Sequence, residues 1–236
     1  MKYISKSYLM AYDPETRYGC PFKWYLIYVK GYSFKPTKAM QLGLDFHKCA
    51  NALYDKLDVG ILEGKSRREA CQIIQKFLPK NDVYLNFAKL ESDRYSVLGR
   101  RFVPFRREFT INNGAKKGII DRVFKVDDGL MVEELKRATR KSYPIEDVKF
   151  EVGFYAKLMI EKGMKVTLGS CFFAQDGRFE IFNITEDLLR KVDERERRIL
   201  KGIEDKNFEQ CWDERCNYCP KEIRDRCLEG RFNGET

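Results

Sequence analysis

GIIDRVFKVDDGLMVEELKR, residues 118–137, has the pattern of two strands joined by a tight turn. Apolar and β-branched residues flank Asp127-Asp128-Gly129, and Asp-Gly supplies the positive φ angles of a two-residue hairpin loop. With Asp128-Gly129 as that loop, Asp127 pairs with Leu130 and Asp121 falls opposite Lys136. Side chains alternate faces along a strand, so Glu134 and Lys136 share one face. Asp121 lands on the same face, diagonal to Glu134. Two carboxylates and one amine then converge on a patch of sheet, and their negative surplus calls for a divalent cation. The competing reading is a surface ion pair on a solvated sheet, and only the surrounding chain can separate the two.

Downstream, residues 144–162 carry helical apolar spacing, with Glu151 and Tyr155 four apart and so on one face. Residues 166–174 and 179–184 read as a strand pair across Asp176-Gly177. Thr185 caps a long charged helix whose charge run reads as a solvated face. Upstream, residues 102–111 read as a strand and 82–98 as a helix. Ser66-Arg67-Arg68-Glu69 is a capping box that opens another helix. Residues 37–57 form a helix with Gly43 and His47 on one face, and there Gly43 lets another backbone approach closely. His47 is the only histidine. Pro21 fits the first turn of a helix. The order predicts a single mixed α/β domain over residues 1–236, with a helical insertion at about residues 60–100.

The chain has 236 residues, enough for one well-buried domain, and a net charge of +9 that suits a polyanionic partner. No apolar run approaches the length of a membrane span, and the N-terminus lacks a signal-peptide core, so a cytoplasmic protein is expected. Eight cysteines in such a setting point to metal or redox chemistry rather than disulfides. Cys211, Cys216, Cys219 and Cys227 crowd the C-terminus, while Cys20 stands alone near the other end. Cys49, Cys71 and Cys171 sit among apolar neighbours and read as small core residues.

Gly43-x-x-x-His47, Asp121, Glu134-x-Lys136 and the position of Tyr155 together resemble the PD-(D/E)XK nuclease superfamily. Within it the chain resembles RecB-type exonucleases with an iron–sulfur cluster, above all the CRISPR-associated exonuclease family (the fourth Cas family). The resemblance implies a restriction-endonuclease-like mixed central sheet flanked by helices. It implies His47, Asp121 and Glu134 as metal ligands, with the backbone carbonyl of Leu135 as a fourth contact. Lys136 matches the lysine that orients or deprotonates the attacking water. Tyr155 matches a tyrosine that holds substrate, and Glu151 stands where that motif has glutamine. Cys20, Cys216, Cys219 and Cys227 match four cluster-binding cysteines, within a region of about residues 205–236 plus Cys20. Seven residues separate Cys219 from Cys227, two more than the usual spacing. Cys211 is the competing last ligand, set aside because Trp212 could bury it as core.

Phosphodiester hydrolysis needs an activated water and neutralised charge on the phosphate oxygens, and Mg²⁺ or Mn²⁺ supplies both. One imidazole among oxygen ligands tips the preference toward Mn²⁺. Beside a cation, Lys136 could have a lowered pKa and serve as base. Four thiolates accept either zinc or an iron–sulfur cluster; the resemblance favours [4Fe–4S], with [2Fe–2S] open. The expectation is a DNA exonuclease acting on single-stranded or free ends, with CRISPR adaptation proteins as partners, an antiviral-defence role and no membrane. A viral or phage recombination nuclease, a non-catalytic cluster-containing DNA-binding module and a zinc-stapled structural subunit are the alternatives.

Overall fold

The hairpin lies at the centre of one five-stranded sheet of order β1-β2-β3-β4-β5. A computed structural model describes residues 3–232. Its strands are β1 (Arg106–Asn112), β2 (Lys117–Val126), β3 (Gly129–Lys136), β4 (Val166–Phe173) and β5 (Arg178–Asn183). Neighbours are antiparallel except β3 and β4, which run parallel. A parallel pair needs a crossover, and the helix Ile145–Glu161 supplies it. The helices are α1 (Lys6–Tyr12), α2 (Pro21–Trp24), α3 (Lys38–Lys56), α4 (Arg67–Gln75), α5 (Asp82–Leu98), α6 (Ile145–Glu161), α7 (Glu186–Glu204) and α8 (Lys221–Phe232).

Two cores sandwich the sheet. Leu9 and Tyr12 of α1, Phe154 and Leu158 of α6, and Val192 and Ile199 of α7 pack with Val132 and Cys171. Phe46 and Leu53 of α3, Ile74 of α4 and Phe87 of α5 pack with Leu135 and Phe172. Cys171 and Phe172 are adjacent on β4, so the cores occupy opposite sheet faces. Helices α4 and α5, expected as an insertion, thus share their core with α3 and the sheet.

Local signals explain most boundaries. Thr37, Asn81 and Thr185 cap α3, α5 and α7, and Ser66 with Glu69 forms the full capping box of α4. Several expectations need correction. Residues 99–102 form a 3-10 turn that buries Phe102 before β1 starts at Arg106. A Cβ on Gly43 would meet nothing within 4 Å, so no backbone approaches there. The charge run of α7 is not wholly solvated: Arg195 reaches Asp13 at 2.6 Å and Asp147 at 2.8 Å, and Lys116 meets the buried Glu196 at 2.7 Å.

The hairpin register is also two residues away from the expectation. Val126 pairs with Gly129, leaving Asp127-Asp128 as the loop. Gly129, just past the loop, has a positive φ and also allows close approach: a Cβ there would lie 2.6 Å from the Lys165 carbonyl oxygen. The shift is even, so each side chain keeps its face.

Facing α5, Arg122 and Glu133 are cross-strand partners with no exposure. Arg122 also donates to Glu91 at 2.9 Å and to Tyr54 at 2.6 Å, and Arg94 joins Glu91 at 2.8 Å and Glu133. Two guanidiniums and two carboxylates leave this buried network neutral. Removing one partner strands a buried charge. Arg122→Met should therefore cost about 3–5 kcal/mol, read as a lower denaturant midpoint. A loss below about 1 kcal/mol, the range of exposed pairs, would show that the network contributes little.

Candidate functional site

The β2–β3 ladder ends at Arg122 with Glu133. Beyond it, the Asp121 carboxylate, not a backbone carbonyl, accepts the Leu135 N–H at 2.7 Å. Asp121 thereby sits where the two strands part. From α3, His47 brings Nδ1 to 3.2 Å from Asp121 Oδ1, with the neighbouring Phe46 fully buried as its anchor. Glu134, nearly buried, faces α6 and accepts from Lys136 at 2.9 Å. Lys136 also donates to Glu151 of α6 at 2.7 Å.

Two residues that the sequence reading passed over complete the cluster. Lys6, the first residue of α1, donates to Glu134 at 2.5 Å and Glu151 at 2.6 Å. The Tyr143 hydroxyl donates to the other Glu151 oxygen. Tyr155 is buried beneath, with the Lys6 ammonium 5.2 Å from its ring centre. It rests on Gly118, where a Cβ would lie 2.6 Å from the ring, so only glycine fits there.

Burial opposes every charge in this cluster, and partners decide the outcome. Burial lowers the Lys136 pKa, but Glu134 and Glu151 outweigh it and hold the amine well above its usual value. Without a cation beside it, Lys136 is thus kept an ammonium by two carboxylates. Lys6 behaves in the same way. Burial raises the Glu151 carboxyl, yet Lys136 and Lys6 carry it far below the carboxylate range. Burial and the nearby Asp121 push Glu134 up, although Lys136 and Lys6 pull the other way. Burial lowers His47, and its bond to Asp121 raises it overall.

Among the described residues, no group of three or more His, Cys, Asp or Glu is arranged to hold a metal ion. The residues at the parted strands still fit one by chemistry. His47, Asp121 and Glu134 are a nitrogen and oxygen donor set suited to a hard divalent ion. Glu134 Oε2 is buried with no hydrogen-bond partner, a coordination valence left open. Lys6 and Lys136 meanwhile offset two of the three carboxylate charges. Leu135 contributes its N–H to Asp121, and its side chain lies in the core against α3.

At the chain's ends, Cys20, Cys211, Cys216, Cys219 and Cys227 line one small cavity. Phe22, Leu26 and Ile223 pack beside Cys20, Cys219 and Cys227. Phe22 N–H donates to the Glu209 carbonyl at 3.3 Å, and Arg215 to the Pro14 carbonyl at 2.6 Å, so both ends are joined without any metal. The expectation that Cys211 is buried beside Trp212 fails: Cys211 is half-buried, and Trp212 is 46% exposed. Cys211 instead contacts Cys20, a bond that with backbone donors lowers the Cys20 thiol to about 5 despite its burial. Burial raises Cys219 to about 11 and Cys227 to about 12. Of the other three, Cys171 is buried and Cys49 and Cys71 are half-buried against the α3 core.

No helix among the described residues is long and apolar enough to cross a membrane. The profile of the PD-(D/E)XK nuclease superfamily matches residues 13–227. A crystal structure of a "Putative exonuclease" from Eubacterium rectale is similar in fold, with TM-score 0.54 and 14% identity, covering 92% of this chain and 87% of that one. The crystal structure of SSO0001 covers 76% of this chain and 94% of that one, at 17% identity and TM-score 0.34. A search of curated proteins gives no significant match.

Proposed function

The chain belongs to the PD-(D/E)XK nuclease superfamily, and from that premise we propose that it is a metal-dependent DNA exonuclease acting on single-stranded ends. The observation that carries the reading is the cluster at the parted strands. Three acids, two lysines and the only histidine meet there, and Glu134 keeps one buried oxygen unpartnered. A surface ion pair has no need of such burial.

His47, Asp121 and Glu134, with the Leu135 carbonyl, are the residues that would hold Mg²⁺ or Mn²⁺. The ion would lower the pKa of a bound water and neutralise charge on the scissile phosphate. Lys136 enters as an ammonium, a donor that orients the attacking water and stabilises charge growing on the phosphate oxygens. Glu151 and Tyr143 fix that ammonium in place. DNA as substrate is in line with the +9 charge. The role is trimming before CRISPR spacer integration. A structural [4Fe–4S] cluster on Cys20, Cys216, Cys219 and Cys227 is supported by the cavity these thiols share.

End-labelled single-stranded DNA should be shortened with Mn²⁺ or Mg²⁺ and remain intact with EDTA. Lys136→Ala should lower kcat by about 10²–10³ with DNA affinity near wild type. Full activity in that variant would sink the assigned role. For the cysteines, Cys227→Ser should remove bound iron and the visible absorbance of the protein as purified, and Cys211→Ser should retain both. The reverse result would make Cys211 the last ligand.

A further inference from the structure

Lys6 is held too firmly to be an incidental surface cation. Ile4, two residues before it, bridges Lys116, with Ile4 N–H to Ala115 at 3.0 Å and Lys117 N–H to the Ile4 carbonyl at 2.9 Å. Ser5 caps α1 on the Tyr8 N–H at 3.2 Å. Leu9 and Tyr12 are buried, and the Tyr12 hydroxyl donates to the Asn207 carbonyl at 2.7 Å. Strand edge, cap and core thus fix the first residue of α1 on both sides. Its ammonium takes the same two oxygens as Lys136, Glu134 Oε1 and Glu151 Oε2.

Counting charges exposes what Lys6 does. Asp121, Glu134 and Glu151 bring three negative charges, and Lys136 offsets one. With His47 neutral, the cluster without Lys6 would be left at about −2, and Lys6 halves that. Lys6 and Glu151 together add no net charge, although each strongly biases any cation beside Glu134. We infer that Lys6 is a charge-setting residue of the active site, matched to Glu151, that weakens the hold of the carboxylates on a divalent cation. Lys6 competes with such an ion for Glu134, while Glu151 restores attraction and keeps Lys6 from lying fully on Glu134. The inference rests on the divalent-ion reading of the site and adds a residue that acts through Glu134.

Mn²⁺ binding to DNA-free protein, followed by calorimetry or by the loss of free-ion spin resonance, tests it in four proteins. Lys6→Met should tighten Mn²⁺ by about tenfold or more, since a like charge leaves the site. Glu151→Gln should weaken it by a comparable factor. The double variant should return to within about threefold of wild type, because the charges cancel. Lys6→Arg, which keeps the charge, should stay near wild type, and Lys6→Gln gives the sign of Lys6→Met should that variant fail to fold. A merely structural Lys6 predicts weaker binding in every variant, with lower melting temperatures. Equal signs for the two single variants, no change in either, or a wild-type protein that binds no Mn²⁺ would overturn the inference. If the signs hold and no variant cleaves DNA, the nuclease reading fails and the charge balance stands.

Discussion

The buried pair of Arg122 and Glu133 sets the frame on which the rest depends. The two are cross-strand partners on β2 and β3 with no exposure. Burial alone would lower the Arg122 pKa, but Glu133, Tyr54 and Glu91 outweigh it and keep the guanidinium charged. A slip of one strand by one residue would turn one of the two side chains to the other face and leave its buried partner unpaired. The pair therefore fixes the register of the hairpin. It also fixes Asp121 and Glu134, the next residues along each strand. Directly past the pair the strands part, and Asp121 takes the Leu135 N–H. The site is built where the ladder stops.

Charge is balanced differently on the two sides of the hairpin. Toward α5, Arg122 and Arg94 match Glu91 and Glu133, so that cluster is complete without any ligand. Toward α6, three acids face two lysines, and Glu134 retains an unpartnered oxygen. The first cluster is a structural lock. The second is stable as it stands yet still short of positive charge, a state that suits a centre able to take up and release a cation. Lys6 reaches it from α1, so the segment before α2 contributes a cation to this cluster.

Much of the fold was legible because its signals are local. The caps at Thr37, Ser66, Asn81 and Thr185 and the Asp176-Gly177 turn mark boundaries through backbone hydrogen bonds that nearby side chains satisfy. The mixed sheet flanked by helices is as expected. The hairpin loop was misplaced because Gly129 looked like a turn residue, whereas its missing Cβ makes room for Lys165. That reason lies in β4's approach and is invisible in a short window. Lys6 was missed because α1 has only 7 residues. Its partners stand 128 and 145 positions away. Cys211 was misjudged on the nature of its neighbour, while its contact with Cys20 spans nearly the whole chain.

A divalent-metal centre at the parted ends of β2 and β3 would show itself in anomalous diffraction from crystals soaked in Mn²⁺. A strong peak is expected within coordinating distance of His47, Asp121 and Glu134, with Lys6 drawn off Glu134. A site that stays closed on Lys6 and Lys136 at saturating Mn²⁺, with no peak beside Glu134, would contradict it.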